Sequence, residues 1–245
     1  MSLSAKHISK AYGGLDVLRS VSFQVSDSGT VSIVGPSGCG KTTFLNLAAR
    51  LDQPDEGSIE IEPEARVGYV MQDPLLLPWR TLEENATLGL EVTARCRDDY
   101  QPLLRDYFSK FDLRDSAKIY PNAASGGMKQ RVALIRTLLT MPSVLLLDEP
   151  FSALDFDVKL KIQRYLVDYQ QKHATAIVLV THDIEDAIAL SDQVIVLSDK
   201  PATIKTVIQI AAVSPNRDPV AARKSPRFAE YFTRIWDEIK YLDNE

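Results

Sequence analysis

The sequence predicts an α/β fold in which helices flank a mainly parallel sheet. Short, continuous apolar runs such as 144–147 and 176–180 are typical of parallel strands covered on both faces. Segments with apolar residues at helical spacing alternate with these runs. A glycine-rich segment follows the apolar run 31–34 and leads into a predicted helix at 42–49. Together these observations indicate a sheet whose strands end in functional loops.

The composition is that of an ordinary globular protein. The 245 residues are 45% hydrophobic and 25% charged, which allows one large domain with a full core. A net charge of −5 argues against a broad basic surface, so we expect no nucleic acid partner. The two cysteines, Cys39 and Cys96, are too few for a disulfide framework. No run approaches the ~20 apolar residues that span a bilayer, and no signal peptide opens the chain, so we expect a soluble protein.

The first part of the chain has strand character. Residues 5–8 and 21–25 precede the run at 31–34, and 21–25 alternates cleanly between apolar and polar residues. After the first helix, 58–61 and 67–71 predict two more strands. Because alternation is typical of strands with one face in water, we expect an N-terminal antiparallel β portion.

From about residue 81 to 140 helical spacing dominates, in 82–93, 99–111 and 127–140. This change predicts a helical subdomain at 81–140, inserted into a core formed by 1–80 and 141–245 of a single domain. The β/α alternation then resumes with strands at 144–147, 176–180, 194–197 and 203–210 and helices at 158–170, 184–190 and 225–242. The aromatic stripe of the last helix is expected to pack on the core.

The glycine-rich segment predicts a phosphate-binding loop. It fits the pattern G-x-x-x-x-G-K-[ST] with Gly35, Pro36, Ser37, Gly38, Cys39, Gly40, Lys41 and Thr42, and Thr43 continues the helix. Such a loop points backbone N–H groups at an anion, and the helix start adds its positive dipole end. Lys41 is expected to reach the β- and γ-phosphates and Thr42 to ligate Mg²⁺.

Two acids end the apolar strand at 144–147. Asp148 is placed to hold Mg²⁺, and Glu149 is placed to orient and deprotonate an attacking water. Acids at a strand end can also be simple caps, but the phosphate loop favours the catalytic interpretation.

A second helix start is suited to an anion. Ser125 is a natural N-cap, and Gly126 and Gly127 allow a ligand to approach the helix N–H groups. An ordinary capped helix is the alternative for this segment alone.

Taken in order, these motifs resemble the ATP-binding subunit of an ABC transporter over essentially the whole chain, with a P-loop NTPase core. The sequence departs from the family pattern at Ala124, where leucine is usual. The resemblance implies that Tyr12 stacks on adenine, although Tyr12 alone could equally be a packing aromatic. It also implies that Gln72 contacts Mg²⁺ and the attacking water, that His182 contacts the γ-phosphate, and that 152–155 touches a partner subunit.

The family's mechanism implies ATP and Mg²⁺ as cofactors. Two copies would face head to tail, with Ser125–Gly127 of one completing the site of the other. Further implied partners are membrane-spanning permease subunits and, indirectly, a solute-binding protein, which would place the chain peripherally on the cytoplasmic face of the inner membrane. Residues 76–81 (Leu-Leu-Pro-Trp-Arg-Thr) resemble the nitrate, sulfonate and taurine importer branch. The segment 73–80 suits subdomain core, a permease-docking groove or a mixture of the two, with Trp79 and Arg80 nearer the surface. The alternative function is a non-transport ABC ATPase in cytosolic assembly or a nucleic-acid process.

Overall fold

The computed structural model describes residues 2–92, 97–211 and 217–240. Cys96 and the predicted helix ends at Thr93 and Leu242 lie outside these residues. The elements in chain order are β1 (Leu3–Tyr12), β2 (Leu15–Val25), β3 (Thr30–Val34), α1 (Lys41–Ala48), β4 (Glu56–Ile61), β5 (Val67–Val70), α2 (Leu82–Val92), α3 (Arg97–Lys110), α4 (Gly126–Leu138), β6 (Val144–Asp148), α5 (Phe156–His173), β7 (Ala176–Val180), α6 (Ile184–Leu190), β8 (Gln193–Leu197), β9 (Ile204–Gln209), α7 (Pro219–Arg223) and α8 (Pro226–Lys240).

The larger sheet has six strands in the order β5-β6-β7-β3-β8-β9. Neighbouring strands are parallel except for β9, which runs antiparallel to β8 at the edge. Every residue of β3, β6 and β7 is buried. This confirms the prediction from the continuous apolar runs that these strands are covered on both faces.

The smaller sheet is antiparallel, in the order β2-β1-β4. Both β1 and β2 extend well beyond the short strands predicted from alternation. The pairing of β1 with β2 shifts register near Ile8 and Lys10, and His7 and Ser20 have positive φ angles of 52° and 51°. Because a bulge breaks the period of two, sequence patterning recovered only the regular parts of these strands.

The stretch predicted to be helical holds α2, α3 and α4. Apolar residues of these helices, including Leu82, Phe108 and Leu134, share one buried cluster with Leu145 and Leu147 of the sheet. The helical part is therefore packed directly on one face of the sheet.

Helix α7, which has only five residues, was not predicted from the sequence. In α8, Phe228 and Ile235 are buried in a cluster with α6 and β8, as expected for the aromatic stripe. Trp236 departs from that expectation, since it is 49% exposed. Among the helices of the described residues, none combines the length and apolarity needed to cross a membrane.

A buried ionic network joins three of the C-terminal helices. Asp186 of α6 is 2% exposed and accepts hydrogen bonds from Gln163 of α5 at 2.8 Å and Arg223 of α7 at 2.8 Å. Lys159 of α5 donates to Asp183 at 2.7 Å and to Asp186 at 3.2 Å. Two cations and an amide meet the buried carboxylate and partly offset its desolvation, and these bonds link the three helices.

Candidate nucleotide site

The functional loops converge because they follow four adjacent strands of one parallel array. The phosphate loop follows β3, His182 comes two residues after β7, Asp148 ends β6, and Gln72 comes two residues after β5. In the sheet these strands lie side by side as β5-β6-β7-β3. Since the carboxyl ends of parallel strands share one edge, ligands bind in the crevice there. The residues line one cleft of about 380 Å³.

The phosphate loop needs glycine at Gly40. Its φ is 120°, and a Cβ there would lie 2.8 Å from Leu18 Cδ2 and 2.9 Å from Val17 Cγ1. The loop is therefore wedged against β2 as it enters α1. Gly40 is also the N-cap of α1, and having no side chain it leaves the helix start to an anion.

The lysine of the loop is folded over its backbone. Lys41 Nζ donates to the carbonyl oxygens of Gly35 at 2.8 Å and Pro36 at 2.7 Å. These contacts hold the ammonium group at the mouth of the loop. An incoming phosphate would exchange them for stronger charge-assisted bonds.

A hydroxyl and a carboxylate meet where the metal is expected. Thr42 Oγ1 donates to Asp148 Oδ2 at 2.7 Å. Asp148 is 1% exposed, and burial raises the pKa of its carboxyl group. Mg²⁺ typically takes one or two protein oxygens and completes its shell with phosphates and waters. The residues present therefore fit Mg²⁺ bound together with a nucleotide, with Gln72 in the same cleft.

Glu149 turns inward at the end of β6. Its φ is 48°, a left-handed conformation uncommon for a residue with a side chain and concentrated at functional sites. Its N–H donates to the Val180 carbonyl at 2.9 Å, which fixes the turn. The side chain is 12% exposed, and its Oε2 lies 2.8 Å from His182 Nδ1.

Burial raises the pKa of Glu149, and the hydrogen bond and charge of His182 oppose this shift. A raised pKa makes the carboxylate a better proton acceptor than an exposed glutamate. His182 is 71% exposed and therefore accessible to a ligand. Ser152, which was predicted only as part of a partner-contact loop, also lines the cleft. Its hydroxyl donates to the Glu149 carbonyl at 3.0 Å.

The second helix start lies elsewhere. Ser125 caps α4 by accepting a hydrogen bond from Met128 N at 3.2 Å, and Ser125 and Gly126 are exposed. A Cβ on Gly127 would lie 2.7 Å from the Ala153 carbonyl oxygen, so the close approach of loop 152–155 requires glycine there. Of the described residues that line the cleft, none comes from this helix start.

Tyr12 also lies outside the lining of the cleft. Its hydroxyl donates to Asp52 Oδ2 at 2.6 Å, and its side chain is 46% exposed. Sequence reasoning missed Asp52, because no pattern links two residues that are 40 positions apart.

The structure thus gathers most of the predicted site residues into one cleft, namely Ser37, Gly38, Gly40, Lys41, Thr42, Thr43, Gln72, Asp148, Glu149 and His182. Gly35, Pro36 and Cys39 belong to the same loop. Cys39 is 1% exposed, and burial raises the pKa of its thiol. Cys39 therefore packs in the interior, on the side of the loop that faces away from the cleft.

The model that defines the ABC transporter family matches residues 18–152, which is more than half of the chain. This chain belongs to the ABC transporter family. A formylaminopyrimidine import ATP-binding protein, ThiZ of Halalkalibacterium halodurans, is 38% identical over 85% of this chain and 84% of its own length. An aliphatic sulfonates import ATP-binding protein, SsuB of Bacillus cereus, is 36% identical over 97% of this chain and 94% of its own.

Solved structures agree with this assignment. A dimeric ATP-binding cassette described as a post-hydrolysis state bound to ADP and Pi superposes with a TM-score of 0.79 at 29% identity. The match covers 86% of this chain and 99% of that chain. The predicted P-loop NTPase fold is confirmed, and the chain is an ATPase of the ABC class.

Proposed function

We propose that this chain is the ATP-binding and ATP-hydrolysing subunit that powers an importer for a small solute. The observation that carries the proposal is the single cleft in which four adjacent strand ends place a phosphate loop, two acids, a glutamine and a histidine. The names of the relatives add transport, since ThiZ and SsuB are both import ATP-binding proteins. Their solutes, a formylaminopyrimidine and aliphatic sulfonates, are the classes of cargo to test first.

The side chains of the cleft divide into those that bind phosphate, those that hold the metal and those that act on the attacking water. Lys41 binds the β- and γ-phosphates, while Thr42, Asp148 and Gln72 would hold Mg²⁺, which would supply positive charge next to the phosphates. Glu149 accepts a proton from the attacking water, and His182 holds the carboxylate at 2.8 Å while its exposed ring contacts the γ-phosphate. The nucleotide is ATP, and Tyr12 contributes an aromatic surface for its base.

The complete site takes two copies of the chain. The exposed start of α4, with Ser125, Gly126 and Gly127, is suited to a phosphate but lies outside the cleft of its own chain. A head-to-tail partner would bring it to the γ-phosphate, where its N–H groups stabilise developing charge. The dimeric state of the ADP- and Pi-bound cassette supports this arrangement.

A surface next to Gln72 suits the permease. In the segment 73–80, Leu75 is 55% exposed and Trp79 is 72% exposed. Arg136 fixes the segment by donating to the carbonyl oxygens of Pro74 and Leu75 at 2.8 and 3.0 Å. Exposed apolar residues on a fixed segment are typical of an interface. Docking there places the subunit on the cytoplasmic face of the membrane. A solute-binding protein on the opposite face delivers cargo to the permease.

The chain divides into a core and a helical subdomain, each with its own part in this function. The core of 1–80 and 141–245 holds the cleft, and the helical subdomain of 81–140 carries the α4 start and borders the docking segment. Gln72 connects the two, because it lies in the cleft and directly precedes the docking segment. Permease movement would thereby reach the nucleotide.

The proposal is tested first by nucleotide binding. Lys41→Ala should weaken the affinity for a fluorescent ATP analogue at least tenfold, because a charge-assisted contact to phosphate is lost (about 1.4 kcal/mol for each factor of ten). Lys172→Ala, on an exposed turn of α5, is the matched control. Equal affinities of the two variants would contradict the assignment of the loop.

The transport role is tested by co-purification from membranes. Tagged chain should retain a protein with several membrane-spanning helices, and Trp79→Ser should release it while leaving ATP binding unchanged. Retention of a soluble assembly complex or of nucleic acid instead would favour the alternative of a non-transport ABC ATPase.

A further inference from the structure

We propose that Asp52 positions the ring of Tyr12 for stacking on the nucleobase, which makes Asp52 a positioning residue for ATP. This inference rests on the proposed nucleotide function. It concerns a residue outside the cleft and a hydrogen bond that joins two distant parts of the sequence.

The Tyr12 side chain is held at its far end and on one face. Its hydroxyl donates to Asp52 Oδ2 at 2.6 Å. Lys10 Nζ lies 5.1 Å from the ring centroid, close enough for a cation–π contact. With 46% of the residue exposed, the ring has surface left for a base, yet without these contacts it would be free to change rotamer.

Asp52 is itself anchored. Its Oδ1 accepts hydrogen bonds from Lys10 Nζ at 3.0 Å and from Gln53 N at 2.7 Å. Lys10 Nζ also donates to the Gln53 carbonyl at 2.7 Å, and the Lys10 side chain is only 10% exposed. The position of the Asp52 carboxylate is therefore fixed, and the Tyr12 hydroxyl is hydrogen-bonded to it.

The position of the ring agrees with a role in nucleotide binding. Tyr12 ends β1 and pairs with Leu15 across the turn to β2. Further along the same hairpin, Val17 and Leu18 occupy the space where a Cβ on Gly40 of the phosphate loop would lie. Asp52 follows α1, the helix that starts at this loop. The hydrogen bond between Tyr12 and Asp52 thus joins the β1–β2 hairpin to the segment after α1. Both of these segments adjoin the phosphate loop, and together they hold the ring.

The charges keep this bond formed at neutral pH. The hydrogen bond from Tyr12 is the largest cause that lowers the pKa of Asp52 to about 2. The same bond raises the pKa of Tyr12. The acceptor therefore stays ionised and the donor stays protonated over the whole range of an ATPase assay.

The test compares Asp52→Ala with Asp52→Asn. Asp52→Ala removes the acceptor and should raise the KM for ATP about threefold to tenfold, the range for a lost hydrogen bond to a charged group, with kcat unchanged. Asp52→Asn keeps one oxygen for Lys10 and Gln53 N. Its amide N–H can donate to the Tyr12 hydroxyl oxygen, so its KM for ATP should stay within about twofold of the wild type. Tyr12→Phe should match Asp52→Ala, and the double variant should be no worse than either one, because both remove the same bond.

The matched control is Glu60→Ala. Glu60 pairs with Lys6 of β1 at 2.7 Å, so this variant also removes a carboxylate that binds a β1 lysine, without touching Tyr12. Its KM for ATP should equal that of the wild type.

Inorganic tripolyphosphate separates positioning from general damage to the fold, because it fills the phosphate loop but has no base. Its affinity, measured by displacement of a fluorescent nucleotide, should be the same for wild type and Asp52→Ala. Equal loss for ATP and tripolyphosphate would overturn the inference, as would an unchanged or lower KM for ATP in Asp52→Ala. A wild-type chain that binds tripolyphosphate and ATP equally would also overturn it, and one that binds neither would overturn the proposed function.

Discussion

Replacing Glu149 by glutamine separates ATP binding from hydrolysis. Glutamine has nearly the same shape but cannot accept a proton, and the side chain is 12% exposed with Oε2 2.8 Å from His182 Nδ1. A positioned general base contributes about 10²–10⁴ in rate, or about 3–5 kcal/mol of the barrier. Burial already excludes most water from the carboxylate, so solvent is a poor substitute. We therefore expect turnover to fall by at least a hundredfold, with about 10⁴ as the upper range.

The assay is phosphate release at saturating Mg²⁺ and ATP, combined with fluorescent-nucleotide binding and size-exclusion chromatography. Affinity for ATP should stay within about threefold of the wild type, since the phosphate contacts made by Lys41 are untouched. Because the variant does not hydrolyse its bound ATP, it should also accumulate as an ATP-bound dimer. Glu64→Gln, which changes an exposed carboxylate, is the control. Turnover by Glu149→Gln within about threefold of this control would refute Glu149 as the base, since a general base supplies far more.

Three further predictions follow from the packing. Gly127→Ala places a Cβ 2.7 Å from a backbone oxygen and should lower the free energy of unfolding by about 1–3 kcal/mol. Gly126→Ala, whose Cβ would have its nearest neighbour at 3.9 Å, should not, and equal urea midpoints would contradict this account. Asp186→Ala removes the buried carboxylate shared by Gln163, Lys159 and Arg223 and should cost about 1–3 kcal/mol, because the two cations keep only the more exposed Asp183 and Glu185 as partners. Glu185→Ala, which removes only the exposed pairing with Arg223, should cost less than about 1 kcal/mol; similar losses would contradict the role of the buried network. His182→Ala removes the neighbour that lowers the pKa of the general base, which must be ionised to act. The acidic limb of kcat should therefore move to higher pH, and a limb at the same or lower pH would argue against their coupling.

The sequence was most informative where one short segment defines both structure and chemistry. The phosphate loop lies between β3 and α1 as predicted, and Asp148 ends a buried strand that Glu149 directly follows, also as predicted. In both cases the residues that form the element are also the residues proposed to act on the nucleotide, so one pattern predicts both. The order of the strands, which brings Gln72 and His182 to the same edge, is a property of the sheet that local patterning does not reveal.

Contacts between distant residues could not be predicted. The reason for glycine at Gly127 is a carbonyl oxygen 26 positions away, and that distance is visible only after folding. The partner of Tyr12 lies after α1, 40 positions further along the chain, and no sequence pattern links the two residues. Helix α7 was missed since five residues are too few to show a helical period.

Through the network around Asp186, the C-terminal segment stabilises the part of the protein that carries the cleft. Arg223 reaches the buried carboxylate from α7, so a shortened version of the chain ending before that arginine would leave an acid inside the protein with one counter-charge fewer. The acid lies on α6, which begins two residues after His182, and it is held by α5, which begins directly after loop 152–155. Removing the residues from α7 onward would consequently destabilise the positions of His182 and of loop 152–155 at the cleft. A shortened chain for crystallisation should therefore extend at least to the end of α7.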